Sequence, residues 1–462
     1  MRQRIVSGVL SWLVGSVLWM SSWAVADEGP AAKAEAPPAD AAAKAKVAER
    51  YELLKLFADT LDQVERNYVE EIDRRDLMEG AIRGMLSKLD PYSSYIPPAE
   101  IEKFKSSVEN EFGGVGITVS LETGKLAVIS PVLNSPAYRA GLRGGDRIVE
   151  IEGSSTDGIT LDAAVKQMKG KIGTSVKVTI EHALGGSRET VELSRELIRV
   201  DSVLGDRRNP DDTWNFFLDE EQKLGYIRLS TFSRHTTEDL QAALRSLTQS
   251  GMRGLILDLR FNPGGLLTSG IEVADLLVAD GRIVSTAGRN APQRVWDARQ
   301  DGTFEGFPIV VLINRTSASA SEIVAACLQD HGRAAIVGER SWGKGSVQNI
   351  VELEDGRSAL KLTTAGYVRP SGKNIHRQPG ALPDADWGVR PDAGLEVLFT
   401  SEETDAYLAD RRQRDAIVAR PKKPAAALTE KPKYDKQLAT AVEHLVKQLK
   451  TPSTPVETAD AK

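Results

Sequence analysis

The apolar residues of the N-terminal region recur with helical spacing. Residues 27–46 are rich in alanine, proline, lysine and glutamate, which predicts a flexible tether. The apolar positions that follow are spaced alternately by three and four residues: Leu54, Phe57, Leu61, Val64 and Tyr68. This narrow apolar seam is typical of a coiled-coil helix. A second helix is predicted over residues 74–88, because the chain then reaches Asp90 and Pro91.

The C-terminal region repeats the pattern. A Lys/Pro-rich linker, residues 421–434, precedes a second apolar seam formed by Leu438, Val442, Leu445 and Leu449. Each seam could cover the core of its own chain, and two seams that flank a central body could equally join copies of the chain. We expect a homo-oligomer assembled through the terminal helices, with packing inside one chain as the alternative.

Short apolar strands alternate with helices in the larger central part. Residues 254–259 and 308–313 are continuously apolar, which is typical of strands covered on both faces. Leu240, Leu244 and Leu247 mark a helix before the first of them, and further helices are predicted at 267–280 and 319–331. The alternation predicts a mixed α/β core over residues 196–400. Residues 401–462 are predicted as a linker and a C-terminal helix.

A glycine-rich unit lies between the N-terminal helical region (47–110) and this core. Ser135 to Ile151 matches the signature of a PDZ domain, with a short helix, a glycine turn and a strand. The glycine loop before it would let backbone N–H groups converge on a carboxylate; it comprises Gly113, Gly114, Val115, Gly116 and Ile117. The next strand offers an edge to a peptide, and a helix over 160–168 would close the groove. Residues 111–195 are therefore predicted to form a peptide-binding PDZ domain, within a multidomain α/β (α+β) fold.

The first 26 residues have the pattern of a secretory signal peptide. Arg2 and Arg4 precede an apolar run over residues 5–23, and an A-x-A cleavage site ends at Ala26. The run is long enough that an uncleaved membrane anchor is the alternative. We therefore expect an exported, periplasmic protein whose mature chain begins after Ala26.

Composition excludes several classes of function. A net charge of −6 leaves no basic surface of the kind that nucleic-acid binding needs. The only cysteine, Cys327, excludes an intramolecular disulfide and lies in an apolar helical run, which predicts a small buried hydrophobe. The histidines show no metal-ligand spacing; they are His182, His235, His331, His376 and His444. No metal or other cofactor is expected, and His331 is predicted to complement the dipole at the end of helix 319–331.

Two segments carry candidate chemistry. Residues 316–322, Thr-Ser-Ala-Ser-Ala-Ser-Glu, follow a strand and enter a helix, so a serine hydroxyl would lie at a helix N-terminus that can stabilise an oxyanion. Ser319 and Glu322 also satisfy a helix capping box, which is a purely structural explanation. Residues 343–348 supply Lys344, a base only if burial keeps its amine neutral. Glycines on both sides of Lys344 permit a bend that would bring Gln348 to it.

The lysine segment also approaches a phosphate-binding loop. Residues 338–346 nearly spell G-x-x-x-x-G-K-[ST], but Gly345 stands where the motif needs a hydroxyl. The residues that follow have the pattern of a strand and not of the required helix. Nucleotide binding is therefore a remote alternative.

Taken together, the motifs resemble the carboxyl-terminal processing proteases, also called tail-specific proteases. The serine run, the G-K-G-x-V-Q segment, the D-L-R-x-N-P-G-G-L-L run from Asp258 to Leu267 and the PDZ unit occur in that family's order. The resemblance implies a serine endopeptidase with Ser319 as nucleophile, Lys344 as general base and Gln348 holding the lysine. It further implies an oxyanion hole from the N–H of Ala320 and that of Gly264 or Gly265.

The resemblance also implies partners. Substrates would be proteins with accessible apolar C-termini that the PDZ domain recognises, and a lipoprotein adaptor could assist. Because the PDZ unit separates the N-terminal helices from the catalytic core, we expect peptide binding to help assemble the site, so that the resting enzyme is weakly active. A PDZ scaffold without catalysis is the alternative from another functional class.

Overall fold

The computed structural model describes residues 39–418 and 435–450. Contacts divide the chain into residues 1–78 and residues 79–462. In the first unit, helix α1 spans Ala39–Asn67, and α2 (Arg74–Leu86) crosses the boundary. Helix α1 begins inside the predicted tether, a correction that follows from the helix-favouring alanines and lysines of residues 39–46. The predicted signal peptide, the tether before Ala39 and the linker at 421–434 lie outside the described residues.

The second unit begins with elements that precede the PDZ unit. Strand β1 (Ser94–Ile96) is followed by α3 (Pro98–Glu109), which the sequence analysis missed. Proline suits the first helical position because its missing N–H would be unpaired there. Asn110 ends α3 in the left-handed conformation at φ 59°.

The predicted PDZ unit forms a sheet and two helices. Its elements are β2 (Glu111–Gly114), β3 (Ile117–Glu122), β4 (Lys125–Pro131), α4 (Pro136–Arg139), β5 (Arg147–Ile151), β6 (Ser154–Ser155), α5 (Leu161–Met168), β7 (Ser175–Glu181), β8 (Arg188–Ser194) and β9 (Glu196–Arg199). The main sheet has the order β3-β4-β5-β7-β8, with β6 on β5, and β2 pairs with β9. Strand β3 is thus an edge strand, and α5 packs against it as predicted. An apolar cluster that includes Leu126, Ile148 and Val178 forms a separate core.

The α/β core follows. Its elements are β10 (Val203–Leu204), β11 (Arg207–Arg208), β12 (Trp214–Asn215), β13 (Phe217–Asp219), β14 (Leu224–Leu229), α6 (Thr236–Gln249), β15 (Gly254–Asp258), α7 (Leu267–Asp275), β16 (Arg282–Ala287), β17 (Arg294–Asp297), β18 (Ile309–Ile313), α8 (Ala320–Asp330), β19 (Ala334–Gly338), β20 (Ser346–Leu353) and β21 (Ser358–Val368), with a 3₁₀ turn at Glu354–Gly356. One sheet has the order β10-β14-β15-β18-β19, with β13 on β14. The other has the order β1-β21-β16-β17, with β20 on β21. Strands β11 and β12 form a small ladder of their own.

The first of these sheets carries the serine segment. Strands β14, β15, β18 and β19 run parallel. Alternate strand residues such as Leu257 and Val311 pack with α6, α7 and α8, whereas Ile256 and Val310 face the C-terminal helix. Burial on both faces explains why these strands are continuously apolar. The loops after β15 and β18 leave the carboxyl edge of the sheet, where ligand sites of open parallel sheets form.

Two helices end the described chain. Helix α9 (Ser401–Asp415) lies where a linker was predicted, and α10 spans Lys436–Lys450. The sequence analysis missed α9 because its residues show little apolar periodicity, although Thr400 and Glu403 form a capping box. In α10, Leu438 and Leu445 are buried against the parallel sheet. The C-terminal seam therefore packs within its own chain, the second of the two alternatives, and oligomer formation stays a prediction. Among the described residues, no helix combines the length and apolarity needed to cross a bilayer.

Candidate active site

The serine segment forms a strained turn between β18 and α8. Ser319 adopts φ 56° and ψ −116°, and α8 begins at the next residue. A non-glycine residue in such a conformation costs on the order of 1–3 kcal/mol and marks a position fixed by its surroundings. Among the first N–H groups of α8, those of Ser321 and Glu322 donate to the carbonyl oxygens of Ala318 and Ser319, and that of Ala320 has no acceptor in the described chain.

Hydrogen bonding distinguishes Ser319 from its two neighbours in the run. The Ser317 hydroxyl donates to the carbonyl oxygen of Leu259 at 2.8 Å, and the Ser321 hydroxyl donates to that of Asn262 at 3.0 Å. Both side chains are fully buried. These two serines hold the turn onto the loop after β15, which leaves Ser319 as the candidate nucleophile.

Glu322 joins the serine turn to the lysine loop. Its carboxylate is fully buried and has no cationic partner among the described residues. Oε2 accepts the backbone N–H of Ser319 at 2.9 Å and that of Lys344 at 2.8 Å. Oε1 accepts the N–H of Gly343 at 2.6 Å and the hydroxyl of Ser341 at 2.5 Å. The backbone nitrogens of Ser319 and Lys344 thus share one oxygen atom and cannot lie farther apart than these two bonds together.

The predicted capping interaction is therefore formed by the Glu322 side chain on the Ser319 N–H. Burial raises the pKa of Glu322, and its four hydrogen bonds oppose that rise. The sequence analysis identified Glu322 only as part of a capping box. Its bonds to the lysine loop could not be inferred, because they join segments separated by about twenty residues.

Two glycines let the lysine loop pack this closely. Gly343 has φ 86°, and a Cβ at Gly345 would lie 2.5 Å from the backbone nitrogen of His376. Side chains at these positions would be strained or would clash. The predicted bend is thus present, and it places Lys344 beside α8.

The environment of Lys344 favours its neutral form. The side chain is half-buried, and its Nζ lies 5.2 Å from the centroid of the Tyr92 ring. Desolvation lowers the pKa of Lys344, repulsion from Lys361 lowers it further, and the Glu322 charge opposes both. Within the part of the chain that the structure describes, no hydrogen-bond acceptor is placed on Nζ. An amine in these surroundings is closer to a general base than a solvated lysine would be.

Gln348 does not contact Lys344 in this structure. Its Nε2 donates to the hydroxyl of Ser346 at 2.9 Å and to that of Thr363 at 3.2 Å. Thr363 in turn donates to Asp90 at 3.2 Å. The strand pairing shifts register between Val347 and Gln348, and this irregularity orients the Gln348 side chain.

Asp90 and Tyr92 are site neighbours that the sequence analysis missed. The segment was interpreted only as a helix stop. Asp90 accepts the backbone N–H groups of Tyr92 and Ser93, each at 2.8 Å, and so fixes the turn that places the Tyr92 ring by Lys344. The aspartate–proline pair was the one available signal, since Asp favours turns that bond their own backbone.

Tyr367 is a further neighbour of the serine. It is 5% exposed, and burial raises the pKa of its phenol to about 12. Hydrogen bonding from the Ser319 side chain opposes that rise. The Ser319 side chain therefore lies near the Tyr367 phenol.

The glycines after β15 lie against Ser319. A Cβ at Gly264 would be 2.7 Å from the Cβ of Ser319 and 2.9 Å from the nitrogen of Ala320. The Gly264 N–H already donates to Oδ1 of Asn262 at 2.8 Å. In residues 39–418 and 435–450, no acceptor is placed on the N–H of Gly265 or of Ala320. Two free donors therefore flank the serine.

A buried ion-pair cluster supports this glycine loop. Arg260 is fully buried and forms two-pronged pairs with Asp258 and Asp435. Asp435 also caps α10 by accepting the N–H of Leu438 at 2.9 Å. The two carboxylates hold the pKa of Arg260 well above its usual range. The C-terminal helix is thus fixed to the chain segment that leads into the loop beside Ser319.

Of the five residues predicted to form the glycine loop of the PDZ unit, only Val115 and Gly116 lie in a loop, because Gly113 and Gly114 belong to β2 and Ile117 begins β3. The Val115 carbonyl accepts the N–H of Ala137 at 3.0 Å, and the Gly116 carbonyl accepts that of Val132 at 2.9 Å. The N–H groups of Val115 and Gly116 have no acceptor in the described chain. A Cβ at Gly116 would lie 2.2 Å from the Cβ of Ser135, so only glycine fits. The loop therefore offers free donors at the end of the groove between β3 and α5.

Comparison with known proteins shows the family. The profile of peptidase family S41 matches residues 223–393, that of the PDZ domain matches residues 105–181, and that of the activating protease CtpB N-terminal domain matches residues 13–98. The carboxy-terminal-processing protease of Bartonella bacilliformis is 37% identical over 407 residues, which are 85% of this chain and 88% of that protein. This chain belongs to peptidase family S41.

Two further processing proteases are similar to this chain. The carboxy-terminal processing protease CtpB of Bacillus subtilis is 36% identical over 332 residues, 71% of this chain and 67% of that protein. A solved photosystem II D1 C-terminal processing protease is 31% identical, with a TM-score of 0.42, and the match covers 74% of this chain and 92% of that one. The family assignment and the match to the PDZ profile make the chain a serine protease of the carboxy-terminal-processing type with a PDZ domain, and the predicted multidomain α/β class is confirmed.

The alternatives to a family S41 protease can now be judged. The residues after Lys344 form strand β20, whereas a phosphate-binding loop needs a helix there. A scaffold without catalysis is set aside by the family assignment. In the described ranges, no group of three or more His, Cys, Asp or Glu side chains is placed to hold a metal ion.

Two minor sequence predictions agree with the geometry. Cys327 is fully buried in α8, and burial raises the pKa of its thiol to about 12. It is therefore a small buried hydrophobe, as expected. His331 lies at the C-cap of α8, where its Nε2 is 2.7 Å from the carbonyl oxygen of Arg282.

Proposed function

We propose that this protein hydrolyses peptide bonds near the C-termini of exported proteins, with Ser319 as nucleophile and Lys344 as general base. The observation that carries the proposal is the Glu322 carboxylate, which holds the backbones of both residues on a single oxygen atom. The strained turn at Ser319 and the lowered pKa of Lys344 support the same roles.

The reaction follows from these roles. Neutral Lys344 takes the hydroxyl proton as the Ser319 oxygen attacks the substrate carbonyl, and the tetrahedral adduct carries the negative charge. The ammonium then returns the proton to the leaving amine, and an acyl-enzyme remains for water to hydrolyse. A free lysine has a pKa of about 10.4, so the site must lower it by about three units, or about 4 kcal/mol. Desolvation by the surrounding loops acts in that direction.

For the oxyanion hole we propose the N–H groups of Ala320 and Gly265. The sequence left Gly264 and Gly265 as alternatives. The bond from the Gly264 N–H to Asn262 favours Gly265, whose N–H is unoccupied in the described chain. Preorganised donors of this kind stabilise the tetrahedral adduct because they need no reorientation during the reaction.

We propose that the described arrangement is a resting state. The Lys344 amine lies over the Tyr92 ring, the Ser319 side chain neighbours Tyr367, and the Gln348 amide nitrogen is bonded to Ser346 and Thr363. Gln348 can hold the lysine through its carbonyl oxygen Oε1, which these two bonds leave unused, once the two side chains approach each other. A substrate peptide that displaces Lys344 from Tyr92 would complete the site.

The PDZ domain is placed to take part in this change. The Tyr138 hydroxyl donates to Asp212 of the core at 3.0 Å. The Gly144 N–H donates to the Ile417 carbonyl at 2.8 Å, and the Ile417 N–H donates to Ser130 at 2.9 Å. Movement of the PDZ domain on peptide binding would therefore reach the core through few contacts.

Cleavage of unfolded β-casein tests the catalytic roles. We expect turnover by the wild-type protein and none by Ser319→Ala or Lys344→Ala. The exposed pair Ser371→Ala and Lys373→Ala serves as the matched control and should retain activity, since both lie outside the site. Equal cleavage by all four variants and the wild type would exclude the assignment.

Recognition of the substrate tail is tested with one peptide in two forms. A peptide with an apolar C-terminus is prepared with a free carboxylate and as the carboxamide, and kcat/KM is compared. We expect the carboxylate to be cleaved about tenfold faster, because the free N–H groups of Val115 and Gly116 bind the anion. The difference should shrink for Gly116→Ala, in which the added Cβ disrupts the loop. Equal rates for both forms would contradict recognition of the carboxylate.

Export stays a proposal that rests on residues 1–26. Cell fractionation with detection of the mature N-terminus tests it, and we expect a periplasmic protein that begins at Asp27. An intact N-terminus in the membrane fraction would favour the anchor instead. Oligomers through terminal helices and a lipoprotein adaptor are further proposals, which cross-linking in cells would test.

A further inference from the structure

A cavity of about 590 Å³ lies next to Gln348, and the catalytic roles above do not account for it. It lies between the start of α7, the β16–β17 hairpin and strands β20 and β21. Leu267 of its lining follows Gly265 by two residues, Val347 directly precedes Gln348, and Thr363 accepts a hydrogen bond from Gln348. The cavity therefore adjoins the segments that carry Gly265 and Gln348.

Strand pairing fixes its position relative to the serine. Thr286, which also lines the cavity, pairs with Tyr367 across β16 and β21. Tyr367 in turn neighbours the Ser319 side chain. A peptide whose scissile bond lies at Ser319 would thus have neighbouring residues within reach of this cavity, at roughly 3.3 Å per extended residue.

The floor of the cavity is apolar and its rim is cationic. The floor includes Leu267, Trp296, Val347 and Leu362. Arg289 and Arg294 stand at the rim with exposed side chains, and neither guanidinium has an ion-pair or hydrogen-bond partner in the described chain.

The charge of the cavity lining is positive, whereas the net charge of the whole protein is negative. The chain has 65 acidic and 59 basic residues, yet no aspartate or glutamate lines the cavity. Arginine is suited to bind carboxylates through two parallel hydrogen bonds. Two unpaired arginines beside an apolar floor therefore favour a ligand that combines an acidic group with an apolar one.

The cavity thus offers an apolar floor for one side chain and two cations for another.

We propose that this cavity is a substrate subsite that selects an acidic side chain near the scissile bond, with an adjacent apolar side chain on the floor. The proposal rests on the catalytic role of Ser319. Its specificity determinants are Arg289 and Arg294, which touch the substrate side chain and take no part in bond cleavage. We expect the acidic residue within about four residues of the cleaved bond, since each extended residue spans roughly 3.3 Å.

The test uses internally quenched peptides that differ at one position. Glutamate, glutamine or lysine is placed at each of the four positions on either side of the scissile bond. At one position we expect the wild-type protein to cleave the glutamate peptide about fivefold to tenfold faster in kcat/KM than the glutamine peptide, as one or two partly exposed ion pairs permit. The difference should lie mainly in KM, because the arginines bind the ground state and the transition state alike.

Charge reversal then identifies the arginines. In Arg289→Glu/Arg294→Glu the lysine peptide should be favoured at the same position, and Arg289→Gln/Arg294→Gln should show no preference. Arg245→Glu/Arg253→Glu changes the net charge equally at exposed positions away from the cavity and should leave the preference unchanged. An equal shift in this control would overturn the subsite, as would a wild-type protein that does not distinguish glutamate from glutamine at any position.

Binding to Ser319→Ala separates this proposal from the proposed function. The inactive protein should bind the labelled glutamate peptide about fivefold to tenfold more tightly than the glutamine peptide. When Arg289→Glu/Arg294→Glu is added to Ser319→Ala, the lysine peptide should bind more tightly instead. If the wild-type protein cleaves peptides but binding ignores the charge, the subsite alone is wrong. If Ser319→Ala cleaves as fast as the wild type, the proposed function is wrong, and the subsite falls with it.

Discussion

Replacement of Glu322 by glutamine tests how the two catalytic segments are held together. The substitution preserves the shape of the side chain but turns one oxygen into an amide nitrogen. Two of the four hydrogen bonds then lose their acceptor. In one orientation of the amide these are the bonds from Ser319 and Lys344, and in the other orientation they are the bonds from Ser341 and Gly343. Either orientation releases the lysine loop on one side.

The magnitude follows from these bonds. A hydrogen bond to a charged group contributes about 1.5 kcal/mol or more, so two lost bonds amount to about 3 kcal/mol. If the whole loss appears in the transition state, kcat/KM falls about 150-fold. Global stability should fall by less, about 1–2 kcal/mol, because the buried carboxylate whose pKa is raised no longer has to be desolvated.

The assay combines activity with unfolding. We would measure kcat/KM on a quenched peptide and the free energy of unfolding in urea for the wild type, Glu322→Gln and Glu339→Gln. Glu339 is a second buried glutamate of the core, which accepts the N–H of Phe399 and pairs with Arg315 away from Ser319. The control should lose stability but little activity. The reasoning is refuted if folded Glu322→Gln keeps more than half of the wild-type kcat/KM.

Three further predictions concern other groups of the structure. Activity requires neutral Lys344, so kcat/KM rises as pH passes through its pKa. Lys361→Met removes a charge that lowers this pKa, so the acid limb of the pH profile should move to higher pH, whereas Lys361→Arg should leave it in place. Asp435→Asn leaves Arg260 half-paired in the core and should lower the urea-derived free energy of unfolding by about 3–5 kcal/mol. Cys327 should resist a thiol reagent in the native protein and react only upon unfolding, as its burial and its pKa of about 12 require.

Sequence alone determined the order of the domains, the α/β core and the residues that carry candidate chemistry. Local signals are enough for these: the apolar strands at 254–259 and 308–313, the glycine loop at 113–116 and the spacing from Ser319 to Lys344 are all properties of short segments. The helix after Ser319 was predictable because its apolar face and its capping pattern agree. Helix α9 was missed because its apolar residues show too little periodicity, whereas α3 was missed although Ile101, Phe104 and Val108 are spaced by three and four residues.

Only the tertiary structure decided how these segments meet. That one carboxylate holds Ser319 and Lys344, and that Tyr92 covers the amine, depends on contacts between segments far apart in the chain. The choice of Gly265 over Gly264 depends on which N–H is already occupied. A hydrogen bond depends on the distance between two groups in space and not on their separation along the sequence. The packing of strands and loops sets these distances, so no local residue pattern predicts such pairings.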